Sequence, residues 1–329
     1  MNCNVVVVAG YFCTGSGAVV DLLKEYKGAY EPGIEFRLIK DPYGLNDLRY
    51  NLVEQWDPLN SDNAIKDFIW LANHLAHSET KFSLVSGLGY SKKEIFGERF
   101  LEETNAYISR ITNTVYNSEW WFRKFKQTKF ERFKEKILNR FRYGTHTMYL
   151  STCTEEEFDL YTKEYLENLF QLNKKENNSF VILDQGLAAQ NPQNLNHFFD
   201  SGKMIIVDRD PRDCYSEMLE GVPLIGTQIE KTHDTSLFVN WYETYRRRTF
   251  KGNERILYLR FEDLILKYDE TVQKIENFLG LTHDDHIYKN WYLKPEVSRN
   301  NIGKWEKMLS KKEIEGLNPL RNYFWDSNN

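Results

Sequence analysis

The sequence lacks the features that define several special classes of protein. Its 329 residues include only four cysteines, Cys3, Cys13, Cys153 and Cys214, which show neither the spacing of a metal site nor a dense disulfide framework. The first apolar run, residues 5–9, is far too short for a signal sequence or a membrane span, and no basic stretch precedes it. These absences predict a cytoplasmic, unanchored chain with reduced thiols.

Neither sign of charge dominates. The chain carries 43 lysines and arginines against 48 acidic residues, a formal net charge of −5, which removes any global argument for nucleic-acid binding. One local exception is segment 120–142, where nine basic residues are interleaved with aromatic ones. This pattern predicts a basic amphipathic helix, which is either an ordinary solvated helix face or a peripheral membrane contact.

Short apolar runs alternate with amphipathic helical patterns along much of the chain. The runs are predicted strands at residues 5–9, 180–183, 204–207 and 256–259, and the first is followed by a helical pattern over residues 18–26. This order predicts an α/β fold with a parallel sheet flanked by helices. We expect one domain over residues 1–329, in which about residues 45–175 form a large helical insertion or lid whose one apolar run is at 82–85.

A glycine-rich turn, residues 10–17, lies between the first predicted strand and its helix. Backbone N–H groups and the helix dipole make such a turn an anion cradle. The spacing of Gly10 and Gly15 matches a nucleotide phosphate loop, but Ser16 and Gly17 stand where that loop has lysine and a hydroxyl residue. An ATP or GTP hydrolase is therefore disfavoured.

A second strand-to-helix junction follows residues 204–207. Asp210 is a predicted helix N-cap and Pro211 the first helical residue, so Arg209 and Arg212 lie at the carboxyl edge of the predicted sheet. Two guanidinium groups at this edge favour a phosphate ligand.

Four ordered motifs resemble those of sulfotransferases that use 3′-phosphoadenosine 5′-phosphosulfate (PAPS). Residues 207–216 resemble the family's R-D-P-R-D-x-x-x-S motif, and residues 259–264 resemble its Y-E-D-L segment. Residues 299–305 resemble the C-terminal R-K-G-x-x-G-x-W loop, and residues 14–17 fall where the family has S-G-T-T. The resemblance covers about residues 1–45 and 180–310 and implies a P-loop NTPase-like sheet.

The resemblance also implies a donor site that needs no metal and releases 3′-phosphoadenosine 5′-phosphate (PAP). The 5′-phosphosulfate would be held by Cys13, Thr14, Gly15, Ser16, Gly17 and Ala18, and the 3′-phosphate by Arg209, Ser216, Arg299, Asn300, Gly303 and Lys304. Two residues depart from the family's pattern. Cys13 replaces its usual Lys or Arg, and Glu217 stands where its motif serine is expected.

Four further residues are candidates for the transfer step. Arg37 and Lys40 are the candidate cations that replace the missing one. Glu35 is the first candidate base, because an alternating pattern on an edge strand would turn it and Arg37 away from the core, and because the segment resembles bacterial carbohydrate sulfotransferases. Asp184, at the end of the run 180–183, is the second.

The predicted function is sulfuryl transfer from PAPS to a hydroxyl of a carbohydrate or glycolipid. Two alternatives remain open at this point. One is a non-catalytic, nucleotide-binding homologue, and the other is a P-loop kinase, which would need the lysine that Ser16 replaces.

Overall fold

The computed structural model describes most of the chain and divides it into two compact units. One unit comprises Met1–Lys40 and Phe170–Asn329, and the other comprises Asp41–Leu169. The described residues are 4–33, 35–76, 97, 99–118, 120, 128–138, 146–172, 175, 178–248 and 250–325.

The larger unit is built on a five-stranded parallel sheet with the strand order β2-β5-β1-β6-β7. The α/β prediction is therefore confirmed, and so are the four predicted strands. The strands in the described part of the chain are β1 (Asn4–Gly10), β2 (Ala29–Tyr30), β3 (Thr114–Ser118), β4 (His146–Leu150), β5 (Phe180–Asp184), β6 (Lys203–Asp208) and β7 (Ile256–Arg260).

Helices flank the sheet and bury their apolar faces. The helix Ser16–Lys24 places Val19, Leu22 and Leu23 in the core, as the predicted 3.6-residue period requires. Its bounds differ from the predicted 18–26 by two residues at each end. The other α-helices of this unit are Leu195–Phe198, Pro211–Met218, Gly226–Thr232, Thr235–Arg246, Phe261–Leu266, Tyr268–Leu279, Pro295–Ser298, Trp305–Met308 and Lys311–Gly316.

The predicted edge strand around Glu35 is wrong. The edge strand is only Ala29–Tyr30, and residues 37–40 form a turn. Phe36 and Leu38 are buried, as predicted, but so is Ile39. The backbone N–H of Phe36 donates to the backbone oxygen of Asp184 at 2.6 Å. A turn that buries three nearby apolar residues therefore imitated the period of a strand.

The described residues of the smaller unit are mainly helical, and they also include the antiparallel pair β3 and β4. These strands were missed because β3 is largely exposed and so carries no apolar run. The α-helices that begin in this unit are Leu45–Arg49, Pro58–Ala76, Arg99–Ile111, Lys129–Leu138 and Glu155–Gln171, and Tyr50–Glu54 forms a π-helix. The predicted strand at 82–85 lies outside the described residues.

The basic segment 120–142 is described in part. Its helix Lys129–Leu138 exposes Arg132 and Lys134, together with Phe130 and Phe133, whereas residues 121–127 and 139–142 lie outside the described part. The two phenylalanines are therefore not part of a hydrophobic core. Within the described ranges, no helix combines the length and the apolar character that crossing a membrane requires.

Candidate functional site

The two strand-to-helix junctions lie side by side. Strand β1 pairs in parallel with β6, with Gly10 opposite Val207, so both chains leave the same edge of the sheet. The guanidinium of Arg209 donates from Nη1 to the backbone oxygen of Cys13 at 3.1 Å. The parallel topology thus joins two motifs that are far apart in sequence.

The loop after β1 adopts an unusual backbone conformation. Phe12, Cys13 and Gly15 all have positive φ, and the Tyr11 N–H donates to the buried hydroxyl oxygen of Thr14 at 3.1 Å. A Cβ at position 15 would lie 2.5 Å from the ring of Phe261, so glycine is required there on both grounds. The helix Ser16–Lys24 then begins, and its unpaired N–H groups supply positive potential at the loop.

The second junction is held by Asp210, which caps the helix Pro211–Met218 as predicted. Its carboxylate accepts from the Arg212 N–H at 2.8 Å and from the Arg212 guanidinium at 2.6 and 2.9 Å. That guanidinium also lies 4.0 Å from the ring centroids of both Trp305 and Phe324. These contacts hold Arg212 in place, and a role for it as a second phosphate-binding guanidinium stays a prediction.

Two acidic groups that sequence reasoning missed, the half-buried Asp208 and the buried Glu262, fix the end of β6. Asp208 forms a two-point ion pair with Arg246, at 2.6 and 2.8 Å, and Glu262 accepts from the Asp210 N–H at 2.6 Å. Burial raises the pKa of Glu262 to about 7, although Arg260 and the backbone hydrogen bonds lower it. Glu262 belongs to the segment that resembles Y-E-D-L, so that segment supports the junction from the neighbouring strand β7.

The segment 299–305 is tied to the helix Pro211–Met218 by Asp213. This carboxylate accepts from the backbone N–H groups of Gly303 and Trp305 at 3.0 and 3.1 Å. Burial raises the pKa of Asp213, partly offset by these hydrogen bonds. Arg299 and Asn300 are exposed, and it is Asn301 that reaches the site, where its backbone oxygen accepts from Arg209 at 2.6 Å.

Arg209 is the centre of the site. Only 4% of it is exposed, and besides the two backbone oxygens it faces the carboxylate of Glu217 at 3.3 Å. A cavity of about 460 Å³ lies against it, lined by Cys13, Gly15, Gly17, Ala18, Asp21, Arg209, Glu217, Phe261, Tyr292, Leu293, Lys294, Val297, Ser298 and Asn301.

Two of the predicted donor-site residues have other environments. Ser216 is fully buried inside its helix, and its hydroxyl donates to the backbone oxygen of Arg212 at 2.9 Å, so its contact with the 3′-phosphate stays a prediction. Lys304 pairs with Glu220 at 2.8 Å and with Glu217 at 3.4 Å.

Burial raises the pKa of the Cys13 thiol to about 12, with Glu217 adding to the effect, so this thiol is neutral.

The candidate bases lie together at the end of β5. Glu35 and Arg37 form an ion pair of 2.8 Å, so they do share one side of the chain, although not on a strand. Burial raises the pKa of Asp184 to about 6, and the neighbouring carboxylates of Glu35 and Glu31 add to that rise while Lys40 opposes it. A carboxylate with such a pKa is suited to accept a proton near neutral pH.

Gln185 links this cluster to the loop after β1. Its side-chain oxygen accepts from Lys40 Nζ at 3.0 Å, and its nitrogen donates to Ser16 Oγ at 2.8 Å. The residue has φ +52°, in the left-handed region. Sequence reasoning noted Asp184 but missed Gln185, for which the adjacent strand end was the available signal.

Comparisons with known proteins indicate the family of this chain. A sequence model of the sulfotransferase family matches residues 98–285, more than half of the chain. A curated relative from Caenorhabditis briggsae, described as a putative protein-tyrosine sulfotransferase, is 29% identical over 97 residues, or 28% of this chain and 34% of the relative. The matched part thus spans about a third of that relative's length.

Two solved structures are similar at low identity. The sulfotransferase domain of the Synechococcus PCC 7002 olefin synthase is 13% identical with a TM-score of 0.39, over 99% of this chain and 95% of that one. The sulfotransferase domain of the curacin biosynthetic pathway is 11% identical with a TM-score of 0.41, over 98% of each chain.

The parallel sheet and the glycine loop that opens its first helix define an α/β protein with a P-loop-like fold. The chain belongs to the sulfotransferase family. The expected family is therefore confirmed.

Proposed function

We propose that this chain is an enzyme that transfers a sulfuryl group from PAPS to a hydroxyl of a carbohydrate or glycolipid acceptor. The observation that carries the proposal is the 3.1 Å contact of Arg209 with the backbone oxygen of Cys13 at the wall of one cavity. It brings an anion-binding loop and a buried guanidinium together, as a nucleotide with phosphates at both ends of its ribose requires.

In this proposal the loop from Cys13 to Ala18 holds the 5′-phosphosulfate. The N terminus of the helix Ser16–Lys24 supplies positive potential there, and no lysine is needed for the contact. Arg209 and the segment ending at Lys304 hold the 3′-phosphate.

The transfer step needs a base and a cation. The acceptor oxygen attacks sulfur, the bond from sulfur to the 5′-phosphate oxygen breaks, and the acceptor proton passes to a carboxylate. Asp184 is the better base, because its pKa is raised to about 6, whereas Glu35 is held by Arg37 at 2.8 Å. Lys40 supplies positive charge at the leaving oxygen and is aligned with the loop by Gln185.

A second candidate acceptor is a protein tyrosine, favoured by the description of the Caenorhabditis briggsae relative. The chemistry separates the two acceptors. A phenol has a pKa of about 10 and ionises far more readily than a sugar hydroxyl, so it depends less on a base. Replacement of Asp184 should therefore reduce transfer to a sugar much more than transfer to a tyrosine.

The direct test is turnover with sulfur-labelled PAPS against a panel of oligosaccharides, glycolipids and tyrosine peptides. We expect a labelled carbohydrate product that forms without ATP. Binding of the donor nucleotide without turnover on any acceptor would identify the chain as a non-catalytic homologue. ATP-dependent phosphorylation would instead identify a kinase.

Ligand-dependent stability provides a second test. Adenosine 3′,5′-bisphosphate at 100 times its dissociation constant should stabilise the chain by about 2.7 kcal/mol, because only the folded state binds it. ATP is the control nucleotide. A response to ATP alone, or to neither nucleotide, would contradict the proposed donor.

The helix Lys129–Leu138 is the surface through which the chain would contact a membrane that carries a glycolipid acceptor. Lys129–Leu138 exposes basic and aromatic side chains together, which is typical of a peripheral membrane contact. Replacing Arg132 and Lys134 by glutamate should weaken sedimentation with anionic vesicles. That acceptor specificity resides in about residues 45–175 stays a prediction.

A further inference from the structure

Glu217 brings a carboxylate to the place expected to receive a phosphate. It lies on the helix Pro211–Met218, eight residues after Arg209, and lines the cavity. Its Oε1 faces both terminal nitrogens of Arg209, at 3.3 and 3.4 Å, and the Nζ of Lys304, at 3.4 Å. These are the two side chains assigned above to the 3′-phosphate.

The contacts of Glu217 are longer than those of a tight ion pair. Charge-assisted hydrogen bonds between nitrogen and oxygen usually measure about 2.7–2.9 Å. The shorter bonds of Arg209 go instead to the backbone oxygens of Asn301 and Cys13, at 2.6 and 3.1 Å. Glu217 can therefore move aside while Arg209 keeps the contacts that position it.

Arg209 has capacity for a further ligand. Its Nε is buried and has no hydrogen-bond acceptor among the described residues. A buried guanidinium donor normally finds an acceptor, so the present contacts of Arg209 leave one of its donors unused.

The charge of the cavity wall also bears on the donor. Its lining carries Asp21 and Glu217 against Arg209 and Lys294, so acidic and basic side chains balance. An adenosine with phosphates at both the 3′ and 5′ positions carries several negative charges. Such a ligand binds best where the wall is positive, and Glu217 removes that excess at the 3′ end.

We propose that Glu217 is a selectivity residue for the donor nucleotide, an internal counter-ion of Arg209 that the 3′-phosphate must displace. The pocket consequently discriminates only weakly between adenosine nucleotides with and without a 3′-phosphate. The inference rests on the proposed function, because it assumes that an adenosine nucleotide occupies this cavity.

The test compares Glu217→Gln and Glu217→Ser with the unchanged chain by calorimetry, using adenosine 3′,5′-bisphosphate and adenosine 5′-monophosphate. We expect the preference of the variants for the bisphosphate to increase by about tenfold or more, equivalent to about 1.4 kcal/mol. Binding of the monophosphate should change little. Circular dichroism checks that each variant is folded.

Glu220→Gln is the matched control. Glu220 also pairs with Lys304, at 2.8 Å, but it does not line the cavity. The replacement Glu220→Gln removes one negative charge near Lys304, as the Glu217 replacements do. A general electrostatic effect would therefore change the nucleotide preference of this variant equally. We expect the control to keep the preference of the unchanged chain.

The outcomes separate this inference from the proposed function. An unchanged preference in both Glu217 variants, or an equal gain for both nucleotides, overturns the selectivity role while the donor site stands. Failure of the unchanged chain and of every variant to bind either nucleotide overturns both. A gain of the same size in Glu220→Gln also overturns the specific role of Glu217.

Discussion

Arg209 and Cys13 are 196 positions apart in the chain, yet the Arg209 guanidinium donates to the Cys13 backbone oxygen at 3.1 Å. Because Arg209 is only 4% exposed and also binds the oxygen of Asn301, one buried cation holds three segments of the site together. The shape of the candidate donor site therefore depends on hydrogen bonds to backbone atoms.

The pH dependence of catalysis should report the pKa of Asp184. Because this group acts as a base only when ionised, kcat/KM should fall as the pH drops below about 6. Glu35→Gln removes a negative charge that raises this pKa, so the acidic limb should move to lower pH. Lys40→Met removes a charge that lowers it, so the limb should move to higher pH. If the acidic limb of the kcat/KM profile stays at the same pH in both variants, Asp184 is excluded as the base.

Asp184 should also reduce the stability of the folded chain at neutral and alkaline pH. Its folded pKa, about 6, lies above the ordinary value of 3.8, so the folded state binds more protons between these values and loses stability as the pH rises through them. Asp184→Asn should raise the free energy of unfolding at pH 8 by up to about 2.7 kcal/mol, the equivalent of two pKa units. Thermal unfolding of the variant and of the unchanged chain, at pH 8 and below pH 4, measures this difference in the free energy of unfolding.

The exposed replacement Glu254→Gln is the control for that experiment. It should leave the melting temperature unchanged at both values of pH. A gain for Asp184→Asn of equal size below pH 4 would show that the effect does not arise from ionisation.

Asp213 should hold the segment 299–305 in place. Asp213→Asn substitutes an N–H₂ group for one oxygen, so the N–H of either Gly303 or Trp305 loses its acceptor. We expect faster hydrogen exchange at these two amides and a roughly tenfold loss of affinity for adenosine 3′,5′-bisphosphate, about 1.4 kcal/mol. Glu306→Gln, in the following turn, is the control, and unchanged exchange in Asp213→Asn would contradict the role.

Gln185 should act on turnover more than on nucleotide binding. Gln185→Asn keeps an amide and a residue that tolerates positive φ, but its side chain is too short to reach both Lys40 and Ser16. We expect kcat to fall about tenfold, the equivalent of about 1.4 kcal/mol in the barrier, with little change in the dissociation constant of the nucleotide. Equal losses in both quantities would indicate that Gln185 only maintains the loop.

The extent to which the fold could be predicted follows from the strength of local patterns. Strands buried on both faces, such as β1 and β6, are continuous apolar runs, and Asp210 with Pro211 is a plain helix start. The pattern misled at residues 36–38, where buried side chains at and beside a turn imitated the alternation of a strand, and it gave no sign of the exposed strand β3. Local periodicity reports burial, and it reports secondary structure only where the two coincide.

The sequence by itself determined that two strand-to-helix junctions, near Gly15 and near Arg209, would lie at one edge of a parallel sheet, because parallel strands end at the same edge. Only the tertiary structure decided which side chains face each other there. Arg212 turns to Asp210, Ser216 points into its own helix, and Glu217 takes the place beside Arg209. These outcomes depend on side-chain rotamers and on contacts between residues far apart in the chain, which no local pattern encodes.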